Sequence, residues 1–386
     1  MRRAWIIMSV LVLLAATSLW YWYGHQTEQK PNPSVVQGTK QPQPTPPSLV
    51  DMRLSQMSLR DKVASLLITN VSGTDAGLLG QYADTNKLGG AILMGENIPA
   101  TDTQLKAETA ALRGGDVQFP RLVTTDEEGG TVKRLPGDMF PSGLNLKNKT
   151  SANVQTAFDE RSTMVQSVGI TLNFGIIADV TSNPNSFIYE RTLGITPEVA
   201  ADHVAAAVEG SKGKTLSTLK HFPGHGETID NSHIIIPTIN VSYTDWQMKD
   251  KIPFAAGIAA GADVVMVGHL RYATVDDQPA SLSKKWHDIL RNELGFKGLI
   301  VTDAMGMLQN SGESIYQDPV QNAVAALNAG NTMLLYVFDT TTRIDPNILI
   351  DGIVAAVKND TLNEALITSD ARLALTTRAE SASLVK

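Results

Sequence analysis

The chain has 386 residues, a formal charge of −7 and no cysteine. Its 42% apolar and 18% charged content suits a globular enzyme and excludes a disordered or fibrous chain. The acidic balance argues against a nucleic-acid partner, which needs a basic surface, and the missing cysteine excludes disulfides, thiolate zinc sites and thiol nucleophiles.

Arg2 and Arg3 precede an apolar run over residues 4–23 that closes on Trp20-Tyr21-Trp22-Tyr23. A helix of that length covers the hydrocarbon core of a bilayer. The arginines favour a cytoplasmic start and the aromatic cluster suits the far interface. Residues 1–25 are therefore expected to form a transmembrane signal anchor. The alternative is a signal peptide with 6–16 as its apolar region, but no clear small-x-small site supports cleavage. The anchor makes the chain a single-pass protein of the cell membrane with its body extracytoplasmic; cleavage would make it secreted. Residues 26–48 hold prolines at 31, 33, 42, 44, 46 and 47 among Gln, Thr and Ser. Such a stretch buries too little apolar surface to offset its ordering entropy, so a disordered linker is expected.

From 49 to 386 one theme repeats: a short apolar run, a turn, then a helix-compatible stretch. The predicted strands are 63–69, 90–94, 121–125, 172–178, 217–221, 263–268, 299–302 and 333–337. The first of these is equally compatible with a helix. Most are continuous apolar runs, as parallel strands buried on both faces require. Predicted helices include 151–168, 197–212, 243–260, 284–294 and 318–329, with one or two closing helices after 345. Pro197 sits where a first-turn proline belongs, and Gly295 and Gly330 where helices stop. Eight such units in one domain predict an α/β fold of the (β/α)8 TIM-barrel type, with a doubly wound open sheet as the competing topology.

A barrel gathers its chemistry at the C-terminal ends of its strands, and these ends carry Asp126, Asp179, Lys220-His221, His269 and Asp303. The segment from Lys220 to His233 holds three of the seven histidines, with Pro223, Gly224 and Gly226 shaping a turn. The histidine spacing is no standard zinc signature, so no metal and no cofactor are expected. Hydrogen-bonded packing residues are the plainer alternative for His221 and His225. Asp303 ends an apolar strand and needs nearby donors or cations to stay ionised; Lys220, Arg134 and Arg191 are candidates. Glu127 and Glu128 follow Asp126 and are expected to be solvated loop acids.

Taken together, Lys220-His221-Phe222-Pro223-Gly224-His225-Gly226 with Ser232-His233, Asp126-Glu127-Glu128-Gly129-Gly130 upstream and Thr302-Asp303-Ala304-Met305 downstream resemble family-three glycoside hydrolases, most of all the single-barrel β-N-acetylglucosaminidases (beta-hexosaminidases). Gly89-Gly90-Ala91-Ile92-Leu93, Asn173-Phe174-Gly175-Ile176-Ile177-Ala178-Asp179 and Glu190-Arg191-Thr192-Leu193-Gly194 fit as well, and the likeness covers residues 50–386. It implies Asp303 as the catalytic nucleophile and His233 as the acid/base. Asp126, Arg134, Arg191, Lys220 and His221 would hold a terminal N-acetylglucosamine. The implied reaction is retaining hydrolysis by double displacement on a peptidoglycan or chitin-type oligosaccharide. One departure stands out: where the family pairs the histidine with an aspartate two residues earlier, this chain has Asn231, which can orient an imidazole but not balance its charge. Asp230 is the neighbouring carboxylate.

Two other readings remain: an extracytoplasmic sugar-binding module that no longer turns substrate over, and another specificity such as β-glucosidase, whose enzymes usually add a second domain. The sequence leaves open the aglycone, water against phosphate or sugar as acceptor, and the oligomeric state.

Overall fold

Short apolar runs become strands here because helices cover their outer face and the packed barrel interior covers the inner one. In a computed structural model the described residues are 48–70, 72–337 and 344–385, and they belong to one compact unit. The predicted anchor, 1–25, lies outside them, as does the linker except for Ser48. That serine caps the first of the described helices, Leu49–Gln56, in a reciprocal capping box with Asp51. No helix among the described residues is long and apolar enough to cross a membrane.

The barrel strands are β1 (Leu67–Thr69), β2 (Gly90–Leu93), β3 (Leu122–Thr125), β4 (Leu172–Ile177), β5 (Leu216–Phe222), β6 (Val264–Val267), β7 (Leu299–Thr302) and β8 (Leu334–Tyr336). All pair in parallel and in sequence order, with β8 beside β1. Between β7 and β8 a parallel bridge from Val301 to Met333 nearly closes the ring, helped by the Met305 amide donating to Leu335 O at 2.9 Å. This is the α/β barrel expected from the eight repeats, not an open doubly wound sheet. Every residue of these eight strands is buried.

Helix starts follow the local chemistry. Thr150 caps Ser151–Ser167 with a capping box, Thr196 precedes Pro197 at the start of Pro197–Ser211, and Asp318 precedes Pro319 in Pro319–Ala329. Three expectations are corrected. The run 63–69 divides into the end of the helix Leu59–Ala64 and the three-residue β1, because an apolar run of that length carries no period to tell the two apart. The helix 243–260 is two, Tyr243–Met248 and Lys251–Ala259; Pro253 fits the first turn of a new helix but not the interior of an old one. The helix 284–294 changes at Ile289 from α to a five-residue π turn.

The register shifts in β4–β5 between Asn173 and Ile176, and in β5–β6 between Leu219 and Phe222. Such irregularities re-aim side chains, and here they flank Lys220 and His221.

Candidate active site

Loops at the C-terminal ends of the strands enclose a cavity of about 720 Å3. Asp126 follows β3, Lys220 and His221 lie in β5, and Asp303 follows β7; all four line it, as do Arg134, Arg191 and His233. Seven of the eight predicted site residues thus share one wall system. The eighth, Asn231, stands behind His233.

A continuous ion network runs along one side. Lys220 Nζ donates to Asp126 Oδ1 and to Glu128 Oε1, each at 2.7 Å. Arg191 grips Glu128 with two parallel bonds, Nε to Oε2 at 2.8 Å and Nη2 to Oε1 at 2.7 Å, the geometry that makes guanidinium–carboxylate pairs strong. Arg134 Nη2 reaches Asp126 Oδ2 at 3.7 Å. Burial would raise the Glu128 pKa, but Arg191 and Lys220 outweigh it and hold it at about 2. Burial would likewise lower Lys220, yet Asp126 and Glu128 keep it above its ordinary value.

Glu127 and Glu128 are therefore not solvated acids. Both are buried, Glu127 completely, because each finds donors inside: amides for Glu127 and two cations for Glu128. Sequence reasoning missed Glu128 as a pocket residue. The signal was available in Arg134, Arg191 and Lys220, three cations that a buried site must balance with more than Asp126.

Asp179, another predicted strand-end acid, faces away from the cavity. It is buried beneath His221, taking Nδ1 at 2.8 Å and the His225 amide at 2.7 Å. Arg191 Nη2 stands 3.3 Å from His221 Nε2. Since a guanidinium only donates, the His221 proton belongs on Nδ1 and Nε2 accepts. His225 is a packing histidine, as the plainer alternative had it. It is buried, with Nε2 at 3.0 Å from Ser232 Oγ, and burial depresses its pKa to about 4.

Asn231 Oδ1 accepts the His233 amide at 3.0 Å and lies 2.9 Å from His233 Nδ1. One oxygen taking both fixes the proton on Nδ1 and leaves Nε2 as the titrating nitrogen. Phe187 packs edge-on to the ring at 5.7 Å. The residue is exposed at the cavity, yet partial burial of the imidazole lowers its pKa, against the pull of Asp303. The Asp230 main-chain amide donates to Thr228 Oγ1 at 3.0 Å.

Asp303 receives the Ala304 amide on Oδ1 at 2.7 Å. Burial pushes its pKa up, but His221, His269, His233 and that amide prevail and hold it at about 2. His269, the remaining predicted strand-end residue, is fully buried behind it, with Nε2 at 3.1 Å from Ala304 O and Nδ1 at 2.6 Å from Ser281 Oγ. Among the described residues no three acidic or histidine side chains converge as a metal site.

The arrangement resembles that of known proteins. Residues 58–376 match the glycosyl hydrolase family 3 N-terminal domain. The beta-hexosaminidase of Stenotrophomonas maltophilia (strain K279a) is 33% identical over 256 residues, 63% of this chain and 75% of that protein. A family 3 β-N-acetylglucosaminidase from Paenibacillus sp. str. FPU-7 superposes with a TM-score of 0.77 at 28% identity, covering 84% of this chain; the chain spans only 63% of that longer protein. A β-N-acetylhexosaminidase from Beutenbergia cavernae gives a TM-score of 0.71 at 28% identity, covering 84% of this chain and 99% of that one.

Proposed function

The chain belongs to glycosyl hydrolase family 3, and from that premise we propose that it is a retaining β-N-acetylhexosaminidase releasing terminal β-linked N-acetylglucosamine from cell-wall or chitin-type oligosaccharides. The observation that carries this is the pairing, in one cavity, of an ionised carboxylate on Asp303 with an imidazole on His233 whose Nδ1 is already bonded. The names of the relatives support the substrate class.

In the first step Asp303 attacks the anomeric carbon, the glycosidic bond breaks, and protonated His233 gives its Nε2 proton to the leaving oxygen. In the second, His233 takes a proton from water as that water displaces Asp303. Asp126, Arg134, Arg191, Lys220 and His221 hold the sugar hydroxyls and the acetamido group. The cavity lies within the usual range for a small-ligand site, roughly 300–1,000 Å3. Chromogenic β-N-acetylglucosaminide should be cleaved, and Asp303→Ala should reduce turnover by on the order of 10^4-fold or more with the melting curve unchanged. A wild-type chain that binds N-acetylglucosamine without cleaving chromogenic substrate would instead be the sugar-binding module, a reading that Asn231 keeps in play.

Residues 4–23 support a membrane anchor with an extracytoplasmic barrel. Fractionation of the full chain with membranes, and its release by deleting residues 1–25, tests that placement; a full chain found only in the soluble fraction refutes it.

A further inference from the structure

We propose that Glu127 is a positioning residue: it shares one proton with Asp138 behind the pocket, and this shared proton keeps the 126–135 loop closed so that Asp126, Glu128 and Arg134 stand where the sugar binds. The proposal rests on the sugar-binding reading above.

Glu127 sits in sequence between two pocket acids but turns its own side chain inward. Its Oε2 accepts the amides of Arg134 and Leu135, each at 2.9 Å, and so ties the two ends of the loop together. Inside the loop the Glu128 and Gly129 amides both donate to Val132 O, at 3.0 and 3.1 Å. Gly129 and Gly130 adopt φ of 86° and 69°, which glycine allows at least cost. Below, Asn173 of β4 clamps the Glu127 main chain, Oδ1 taking its N–H and Nδ2 donating to its carbonyl, both at 2.9 Å.

The other oxygen, Oε1, is sealed from water with no protein donor, and the carboxyl group in contact with Glu127 is that of Asp138. Two ionised carboxylates repel, whereas one proton between them makes a hydrogen bond. Asp138 is the ionised member. Its Oδ2 accepts Arg161 Nε at 2.8 Å, both side chains fully buried, and its Oδ1 accepts the Phe140 amide at 2.9 Å. Arg161 Nη2 donates to Pro141 O at 2.9 Å and to Phe140 O at 3.3 Å, while its Nη1 is buried without a partner and donates to neither carboxyl group.

The charged groups around the pair are Arg161 from the helix Ser151–Ser167, Lys133, whose Nζ donates to Asp138 O at 3.0 Å, and Arg134 in the loop. On the pocket side stand Asp126 and Glu128, already paired with Lys220 and Arg191. None of these cations donates to Glu127 Oε1. Burial, then the hydrogen bond with Asp138, raises the Glu127 pKa well above its ordinary value. Once pH passes that raised value the acid–acid contact must open. The backbone that moves with it lies between Asp126 and Glu128, so sugar affinity falls while the chemistry of Asp303 and His233 is untouched.

The test is calorimetric titration of the full chain with N-acetylglucosamine at pH 7 and pH 9.5. The wild type should weaken by about tenfold or more across that interval. Glu127→Gln can accept both amides and donate to Asp138, so it should match the wild type at pH 7 and stay level at pH 9.5. Glu127→Ala should bind weakly at both. A wild type that stays level, or a Gln variant that weakens as much as the wild type, overturns the proposal. Should the Gln variant not fold, Asp138→Asn decides: it removes the charge that keeps the proton on Glu127, so the loss of affinity must move to lower pH, and an unmoved midpoint overturns it.

If the wild type has no affinity for N-acetylglucosamine at either pH, the substrate reading fails instead, and melting temperature then tests the proton. The folded chain keeps on Glu127 a proton that the unfolded chain releases near 4.5. Relative to Glu127→Gln, the wild type should therefore lose melting temperature as pH rises above about 4.5 and level off only beyond the raised pKa of the folded chain. Parallel melting curves would overturn the shared proton.

Discussion

Asn231 gives His233 an acceptor but no counter-charge, since its amide oxygen takes Nδ1–H at 2.9 Å and carries no ionisable group. With the pKa of His233 below its usual value, the protonated acid that the first step requires is lost as pH rises through that lowered pKa. The alkaline limb of kcat/KM should then fall below about pH 6.5. Asn231→Asp adds the missing anion, and should raise kcat by about tenfold or more while moving that limb upward. An unchanged rate and profile would mean that the imidazolium is already balanced by Asp303. Glu128 makes a different kind of prediction. Its pKa of about 2 lies below the ordinary 4.5, so its stabilising effect is present above pH 4.5 and is lost as pH falls toward 2. Glu128→Ala leaves Arg191 and Lys220 buried without their shared partner, and urea unfolding at pH 7 should show a loss of roughly 3–5 kcal/mol. A loss under about 1 kcal/mol would mean that water or Asp126 takes over.

The element that matters most is the segment from β5 to His233. Its sequence announces a tight turn through Pro223, Gly224 and Gly226, but not why the last glycine is needed. A Cβ on Gly226 would lie 1.9 Å from the carbonyl oxygen of Val180, so the loop packs directly on the segment after β4. Gly226→Ala should therefore cost about 1–3 kcal/mol and lower activity more than Gly213→Ala. Gly213, unlike Gly226, has a positive φ of 72° with open space around it, so it reports backbone strain without the clash and serves as the control. Equal effects on activity would show that the close approach to Val180 is not what holds His233. Strands were legible where β-branched runs end in a polar residue, as in β7 before Asp303. They were least legible at 63–69, where only Ser65 and Leu66 separate the end of a helix from three strand residues. The split at 243–260 was written in Pro253, whose ring tolerates only a helix start.

At the scale of the whole molecule, the unit beginning at Pro47 is compact by itself. A chain lacking residues 1–46 should keep its melting temperature within about 2 °C and its full kcat/KM on a soluble substrate; a large loss in either would assign the N-terminal segment a part in the barrel. The sequence by itself determined the eight-strand cadence, the strand-end positions of Asp126, Lys220, His221 and Asp303, and the asparagine two residues before His233, because each depends on local order along the chain. Only the tertiary structure decided which acids are pocket groups and which are supports. By sequence Asp179 and His269 stood with the strand-end candidates, and Glu127 and Glu128 with the solvated loop acids. Their roles separate only when chain segments far apart bring Asp138, Arg191, His221 and Ala304 against them, for burial and the charge of the nearest partner, not residue type, set the protonation and direction of a carboxylate.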